Sequence, residues 1–356
     1  MRTDAFLCLA AAWLTIPSGG HAAQRVAPTV VEVSPAGPVR SVREALGRVT
    51  PGGRVLVRAG VYREPTIEIT RPVTLEGEPG AVLDGDDRRQ ILEVRADDVT
   101  IRGLTFRRVG YSEIEDKAAI RITEASRCVI ARNTVEDGFF GIYLARVDGC
   151  HVTDNVLTSR RATEANSGNG IHLWTSRNVT VSRNRVSGYR DGIYFEFVRA
   201  STASDNESAG NIRYGLHFMY SDTCRYLRNG FRRNGSGVAV MYAHAVEMTE
   251  NRFEDNWGAA AYGLLLKEIA DPVLKRNVFR RNTVALFSDG STRPVVDGNT
   301  FADNGWAVQL QANTQDAVFT RNDFTGNTFD VATNARESAS TRFAGNWWDD
   351  YRGYDL

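Results

Sequence analysis

The chain has 356 residues, with 43 Lys plus Arg balanced by 43 Asp plus Glu, and 32 glycines. That length suits one large core or two modest ones. Zero net charge excludes capture of nucleic acid or of an acidic membrane surface through bulk electrostatics.

The N-terminus reads MRTDAFLCLAAAWLTIPSGGHAAQ. Arg2, an apolar run from Ala5 to Leu14, a Pro/Gly break and small residues around Ala22 predict an export signal over residues 1–23, cleaved near Ala22 or Ala23. The run is far shorter than the roughly 20 residues a membrane span needs. Cys8 lacks the small residues that precede a lipoprotein cysteine. The mature chain, residues 24–356, is expected as a single exported domain in the periplasm.

A cap at about 38–60 comes next. Ser41-Val42-Arg43-Glu44 is an S-x-x-E capping box opening a short amphipathic helix that runs to about Val49. Such a helix shields an open sheet edge. PGGRVLVRAGVY, EITRPVTLEGE and DDVTIRGLTF then read as the first short strands.

From Asn133 the chain repeats. Asn133, Asn155, Asn184, Asn206, Asn229, Asn251, Asn277, Asn299 and Asn322 each close an apolar segment, at spacings of 22, 29, 22, 23, 22, 26, 22 and 23 residues. From Asn229 the motif sharpens to N-x-F-x-x-N, and Gly-led apolar runs such as GIHLW, GIYFEF, GLHFMY and GVAVMY alternate with it. Short strands at this period, with no long helical pattern, predict an all-β, single-stranded right-handed parallel β-helix. Stacked coils would lie about 4.8 Å apart. They would align Phe231, Phe253, Phe279, Phe301 and Phe324 in an internal stack and the asparagines in an amide ladder. The longest interval holds a polar insertion, TSRRATEANSGN, at residues 158–169. Cys128, Cys150 and Cys224 each lie five residues before their Asn, in a column where other coils carry Val179, Ser201 and Val246. This favours buried free thiols, although Cys128 and Cys150 are also placed for a disulfide.

Within the Gly-led runs the large apolar residues alternate, which turns the intervening residues outward. The outward pairs are Tyr143 and Ala145, His172 and Trp174, Tyr194 and Glu196, His217 and Met219, Ala239 and Met241, and Leu265 and Lys267. A solvated strand face carries Thr, Ser, Lys and Glu, so this stripe is unusual. Three readings fit it: a secondary core under the 158–169 insertion, a sugar groove, or a soft-metal site. Sugar chemistry on such a scaffold needs paired carboxylates or a base with an acidic metal cluster, and the alternation supplies only Glu196. Imidazole with thioether favours copper, especially Cu(I). His217, Met219 and Met241 lead that set, with His172 two rungs from His217. Trp174, Tyr194, Glu196, Lys267 and, in the following turn, His244 complete the site or partner surface. His151 and His21 look incidental.

The strings NGIHLWTSRN (169–178), DGIYFEF (191–197), RYGLHFMYSD (213–222), GVAVMYAHAV (237–246) and GLLLKEI (263–269) resemble the NosD family, periplasmic maturation factors for the copper enzyme nitrous oxide reductase. The resemblance runs from the Ser41 cap through NWWDDYRGYDL, a segment past which family members usually continue. It implies a non-enzymatic role, transient copper as Cu(I), or sulfur, as cargo, and three partners. These are the reductase, a lipoprotein copper chaperone, and an ABC-type permease with its ATPase, through which the chain would meet the membrane peripherally. ATP binding belongs to the partner, because no GxxxxGK[ST] motif occurs here.

Overall fold

The computed structural model describes residues 27, 29–160, 163–259, 261–334 and 340–350. The segment read as an export signal lies outside them. The described chain winds into a right-handed-type parallel β-solenoid of three sheets with 14, 12 and 13 strands, and neighbouring strands pair in parallel throughout. One coil runs through Tyr214–Met219, Arg225–Leu227 and Gly230–Arg232 before the next begins at Ser236–Met241.

The helix Val42–Arg48 caps the first coils. Ser41 accepts from the Glu44 N–H at 3.3 Å, and Glu64 accepts from the N–H groups of Val42 and Arg43 at 2.7 and 3.1 Å. Those bonds satisfy amides that a helix start leaves without partners. A strand at Val30–Val33, preceding this helix, pairs with Arg54–Val57 and opens the 14-stranded sheet. Nothing in the residue pattern before the capping box singles this strand out.

Inside the solenoid the phenylalanine stack forms as expected. Rings from Phe253 to Phe324 lie 4.6–4.9 Å apart and within 7° of parallel, and Trp348 continues the stack at 4.1 Å. The amide ladder runs from Asn133 to Asn346. In it the Asn277 N–H and Nδ2 both donate to Asn299 Oδ1, at 2.8 and 2.9 Å, and Nδ2 also donates to the Met248 carbonyl at 2.9 Å. A second ladder, Asn211 to Asn327, uses the other asparagine of the motif. These amides are buried and saturated, which is what makes them tolerable in the core. Cys128, Cys150 and Cys224 are buried free thiols, with the Cys128 N–H donating to Cys150 Sγ at 3.3 Å.

The residue before each ladder asparagine turns through the left-handed region: Arg132, Asp154, Arg183, Asp205, Arg228, Glu250, Arg276 and Arg321 have φ between 49 and 59°. From Arg132 to Arg276 their charges alternate up the solenoid, and Gly298 then breaks the column. Arg183 pairs with Asp154 at 2.8 Å, Arg228 with Asp205 at 2.7 Å and Arg276 with Glu250 at 2.9 Å. Arg321 pairs with Asp297 at 2.6 Å, one residue off the column.

The Gly-led runs form the 12-stranded sheet. Gly215 needs to be glycine because a Cβ there would sit 2.7 Å from both the Gly237 carbonyl and Asn234 Nδ2.

Candidate functional site

The outward residues of that sheet fall into two parallel columns. One reads Arg121, Tyr143, His172, Tyr194, His217, Ala239 and Leu265. The other reads Thr123, Ala145, Trp174, Glu196, Met219, Met241 and Lys267. Met219 and Met241 are direct cross-strand partners, and the Tyr194 ring lies between the two imidazoles, 4.7 Å from His172 and 4.6 Å from His217.

The outward stripe is largely covered, as a secondary core would be, rather than open to solvent. His172 is 6 % exposed and His217 is 5 % exposed. Trp174, Glu196, Met219, Met241 and Lys267 are half-buried, while His244 is exposed and pairs with Asp271 at 3.2 Å. The rings shield one another up the column, and arginines cover what remains. Arg121 lies 4.6 Å from the Tyr143 ring centre, Arg146 5.3 Å from Trp174 and Arg213 5.1 Å from Tyr214. The 158–169 insertion also reaches the stripe, since Glu164 pairs with Arg213 at 3.3 Å.

Behind His217 stands a buried carboxylate that alternation did not reveal. Asp191 has a fully buried side chain, is paired with Arg213 at 2.5 Å, and lies 3.2 Å from His217 Nδ1. Burial would raise its pKa, but Arg213 and then His217 hold it at about 2. Nδ1 meets both an acceptor, Asp191 Oδ2 at 3.2 Å, and a donor, Arg213 Nη2 at 3.4 Å; the shorter contact to a carboxylate favours the Nδ1–H tautomer of the neutral ring, in which Nε2 carries the lone pair. That Nε2 is buried and has no hydrogen-bond partner. Conversely, His172 Nδ1 faces the Asn169 amide nitrogen at 3.3 Å and accepts from it, which leaves Nε2 as the protonated nitrogen. Glu196 lies 3.8 Å from that Nε2, too far for a hydrogen bond. Burial pushes the His172 pKa down and keeps the ring neutral.

Met219 and Met241 are the two methionines outside the core among the described residues, since Met248 is buried. The Tyr194 hydroxyl donates to Met219 Sδ at 3.5 Å. Among the described residues no three His, Cys, Asp or Glu side chains converge as a metal site. The register places one imidazole, His217, in the column beside two thioethers on adjacent rungs, a soft set suited to Cu(I) and unsuited to calcium or magnesium.

The family model described as periplasmic copper-binding protein (NosD) matches residues 153–353, which contain this stripe from His172 to Lys267. The chain belongs to the NosD family. A probable ABC transporter binding protein NosD from Pseudomonas aeruginosa is 31% identical over 326 residues, covering 86% of this chain and 75% of its own. The counterpart from Stutzerimonas stutzeri is 29% identical over 316 residues, covering 83% and 71%. The family description makes this a periplasmic NosD-type protein, and no described helix is long and apolar enough to cross a membrane. Solved structures share the NosD solenoid at much lower identity. The mannuronan C-5 epimerase A-module of Azotobacter vinelandii is 14% identical with TM-score 0.59, over 88% of this chain and 95% of that one. A family 28 exopolygalacturonase of Yersinia enterocolitica is 12% identical with TM-score 0.62, over 90% and 78%. These likenesses carry the fold alone.

Proposed function

We propose that this NosD-type protein passes copper, as Cu(I), through the His217–Met219–Met241 cluster during maturation of nitrous oxide reductase. In this reading a lipoprotein chaperone supplies the metal and an ABC-type permease with its ATPase is the membrane partner, so the chain is an accessory factor without catalysis of its own. The observation that carries the reading is the pairing of two thioethers on adjacent rungs, in the column beside an imidazole whose Nδ1 lies 3.2 Å from Asp191 and whose Nε2 has no hydrogen-bond partner. Asp191 holds the His217 tautomer, the thioethers add soft and flexible donors, and the absence of a thiolate from the set favours release over retention. The relatives named as ABC transporter binding proteins support the transporter part of this reading.

The test is an anaerobic Cu(I) competition titration of the purified mature protein and of Met219→Leu/Met241→Leu, which conserves volume and apolarity. The double variant is expected to fold and to bind Cu(I) at least about tenfold more weakly. Undiminished binding would remove copper from this cluster.

A further inference from the structure

Directly after the second column, each coil turns a corner through the left-handed region. Up the solenoid that corner is occupied by Glu124, Arg146, Thr175, Phe197, Tyr220, Tyr242, Glu268 and Gly290, with φ between 48 and 68°. Glycine or asparagine suits such a backbone best, and a bulky aromatic there is an outlier. Aromatic residues nevertheless occupy it in three consecutive coils, the ones whose preceding residues are Glu196, Met219 and Met241. Phe197, Tyr220 and Tyr242 are 47%, 44% and 37% exposed. Their rings stack at 5.1 Å per step and within 13° of parallel, so the rings face each other and present their edges outward.

The other coils show that the corner does not need an aromatic. Three unfavourable choices in a row, of backbone and of exposure, coincide with the candidate metal residues. Strain held beside a site points to use of that site by another molecule. A groove of about 670 Å³ runs along this corner, with Phe197 and Tyr220 among its lining residues together with Arg146, Arg177 and Arg199. The Arg177 and Arg199 side chains are 69% and 76% exposed; Arg177 Nε pairs with Asp148 at 2.9 Å, while Arg199 has only a loose 3.9 Å contact to Asp222. Aromatic edges beside extended guanidiniums are the composition of a protein-docking hot spot. Stacked rings offer no free faces along their length for a sugar to lie on.

We propose that Phe197, Tyr220 and Tyr242, with Arg177 and Arg199, form the docking edge for a folded protein that presents an apolar patch bordered by carboxylates. This partner is the reductase that receives copper at the adjacent methionine pair, so the proposal rests on the reading above. The edge holds the partner while Met219 and Met241, one residue away in the chain, face the transfer.

The experiment uses Phe197→Asn/Tyr220→Asn/Tyr242→Asn, which puts the preferred residue at each left-handed corner, and separately Arg177→Glu/Arg199→Glu. The probe is purified copper-free nitrous oxide reductase, with binding followed by calorimetry at two salt concentrations. The triple variant is expected to melt at or above the wild-type temperature and to bind Cu(I) by itself within about twofold of wild type, while losing at least about tenfold in reductase affinity. The arginine variant should weaken binding most at low salt. Wild type that does not bind the reductase overturns the proposal, as does a triple variant that binds it normally. A triple variant whose melting point falls by roughly 5 °C or more makes the ladder structural and also overturns it. So does displacement of the reductase by oligogalacturonate, which would assign the groove to a sugar. Failure of the copper reading itself would appear in the isolated protein, in the titration of the Met219→Leu/Met241→Leu variant, without any partner.

Discussion

Asp84 and Asp191 are fully buried carboxylates kept ionised by arginine, and each ties a different part of the solenoid to pH or to metal. At Asp84, burial would raise the pKa, yet Arg108, the Asp86 N–H and Arg107 bring it to about 2, below the ordinary 3.8. A carboxylate depressed in the folded state stabilises the fold above its unfolded pKa and loses that contribution as pH falls through the folded one. Wild type should therefore lose stability between about pH 4 and pH 2, and Asp84→Asn should be less stable at neutral pH with a flatter acid limb, as read by thermal melts across pH. At Asp191, the change to Asn keeps the shape but offers an amide NH₂ to His217 Nδ1. This should reverse the tautomer and weaken Cu(I) binding about tenfold while circular dichroism stays unchanged. Neither Asp191 nor Arg213 was legible as a site residue. The strand pairing links Asp191 with Tyr214 and Ile193 with Leu216 but skips Gly192 and Gly215, so parity counted from the apolar residues does not extend back to Asp191. The offset itself was visible, because Asp191 sits one residue and Arg213 two residues before the glycine that opens their runs.

At the scale of the element, the ladders set the stability. Asn277→Ala would strand the Asn251 N–H and one of the two Nδ2 hydrogens, which donate to Asn277 Oδ1 at 2.9 and 3.0 Å inside the wall between two coils, while Nδ2 keeps its bond to the Tyr226 carbonyl. Leaving buried donors without acceptors should cost about 2–4 kcal/mol in a urea melt. Phe279→Ala empties a fully buried place between Phe253 and Phe301, at 4.6 and 4.8 Å, and should cost about 3–5 kcal/mol. If either variant melted like wild type, its ladder would be ornamental. These elements were legible because one residue type recurred at a fixed interval. The covering of the stripe was legible only as one of three readings, because alternation says which way a side chain points and nothing about what lies over it. Tyr194 between two imidazoles and Arg213 tied to Glu164 depend on contacts between coils and with the insertion. The aromatic corner was equally hidden, since Phe197, Tyr220 and Tyr242 read simply as ends of apolar runs until their backbone was known.

Across the whole molecule, the shared solenoid leaves chemistry to the surface. Asp191 is sealed by Arg213, and Glu196 has no second carboxylate opposite it in either column. We expect no turnover of uronate polymers in a reducing-end assay, and turnover abolished by Glu196→Gln would reverse that view. The alternating charges before the ladder asparagines have a consequence for how such a molecule can change length. Asp205 is satisfied by Arg228 from the next coil, and Glu250 by Arg276 from the coil beyond. Excising one coil, residues 206–228, would set Asp205 against Glu250; excising two, residues 206–250, would set it against Arg276. At this column the one-coil excision should therefore cost more per coil removed than the two-coil one, by about 0.5–1 kcal/mol in a urea melt at low salt. Counted this way the stretch from Arg132 to Arg276 has a wavelength of two coils, and at this column it can be lengthened or trimmed in even numbers without setting like charges against each other.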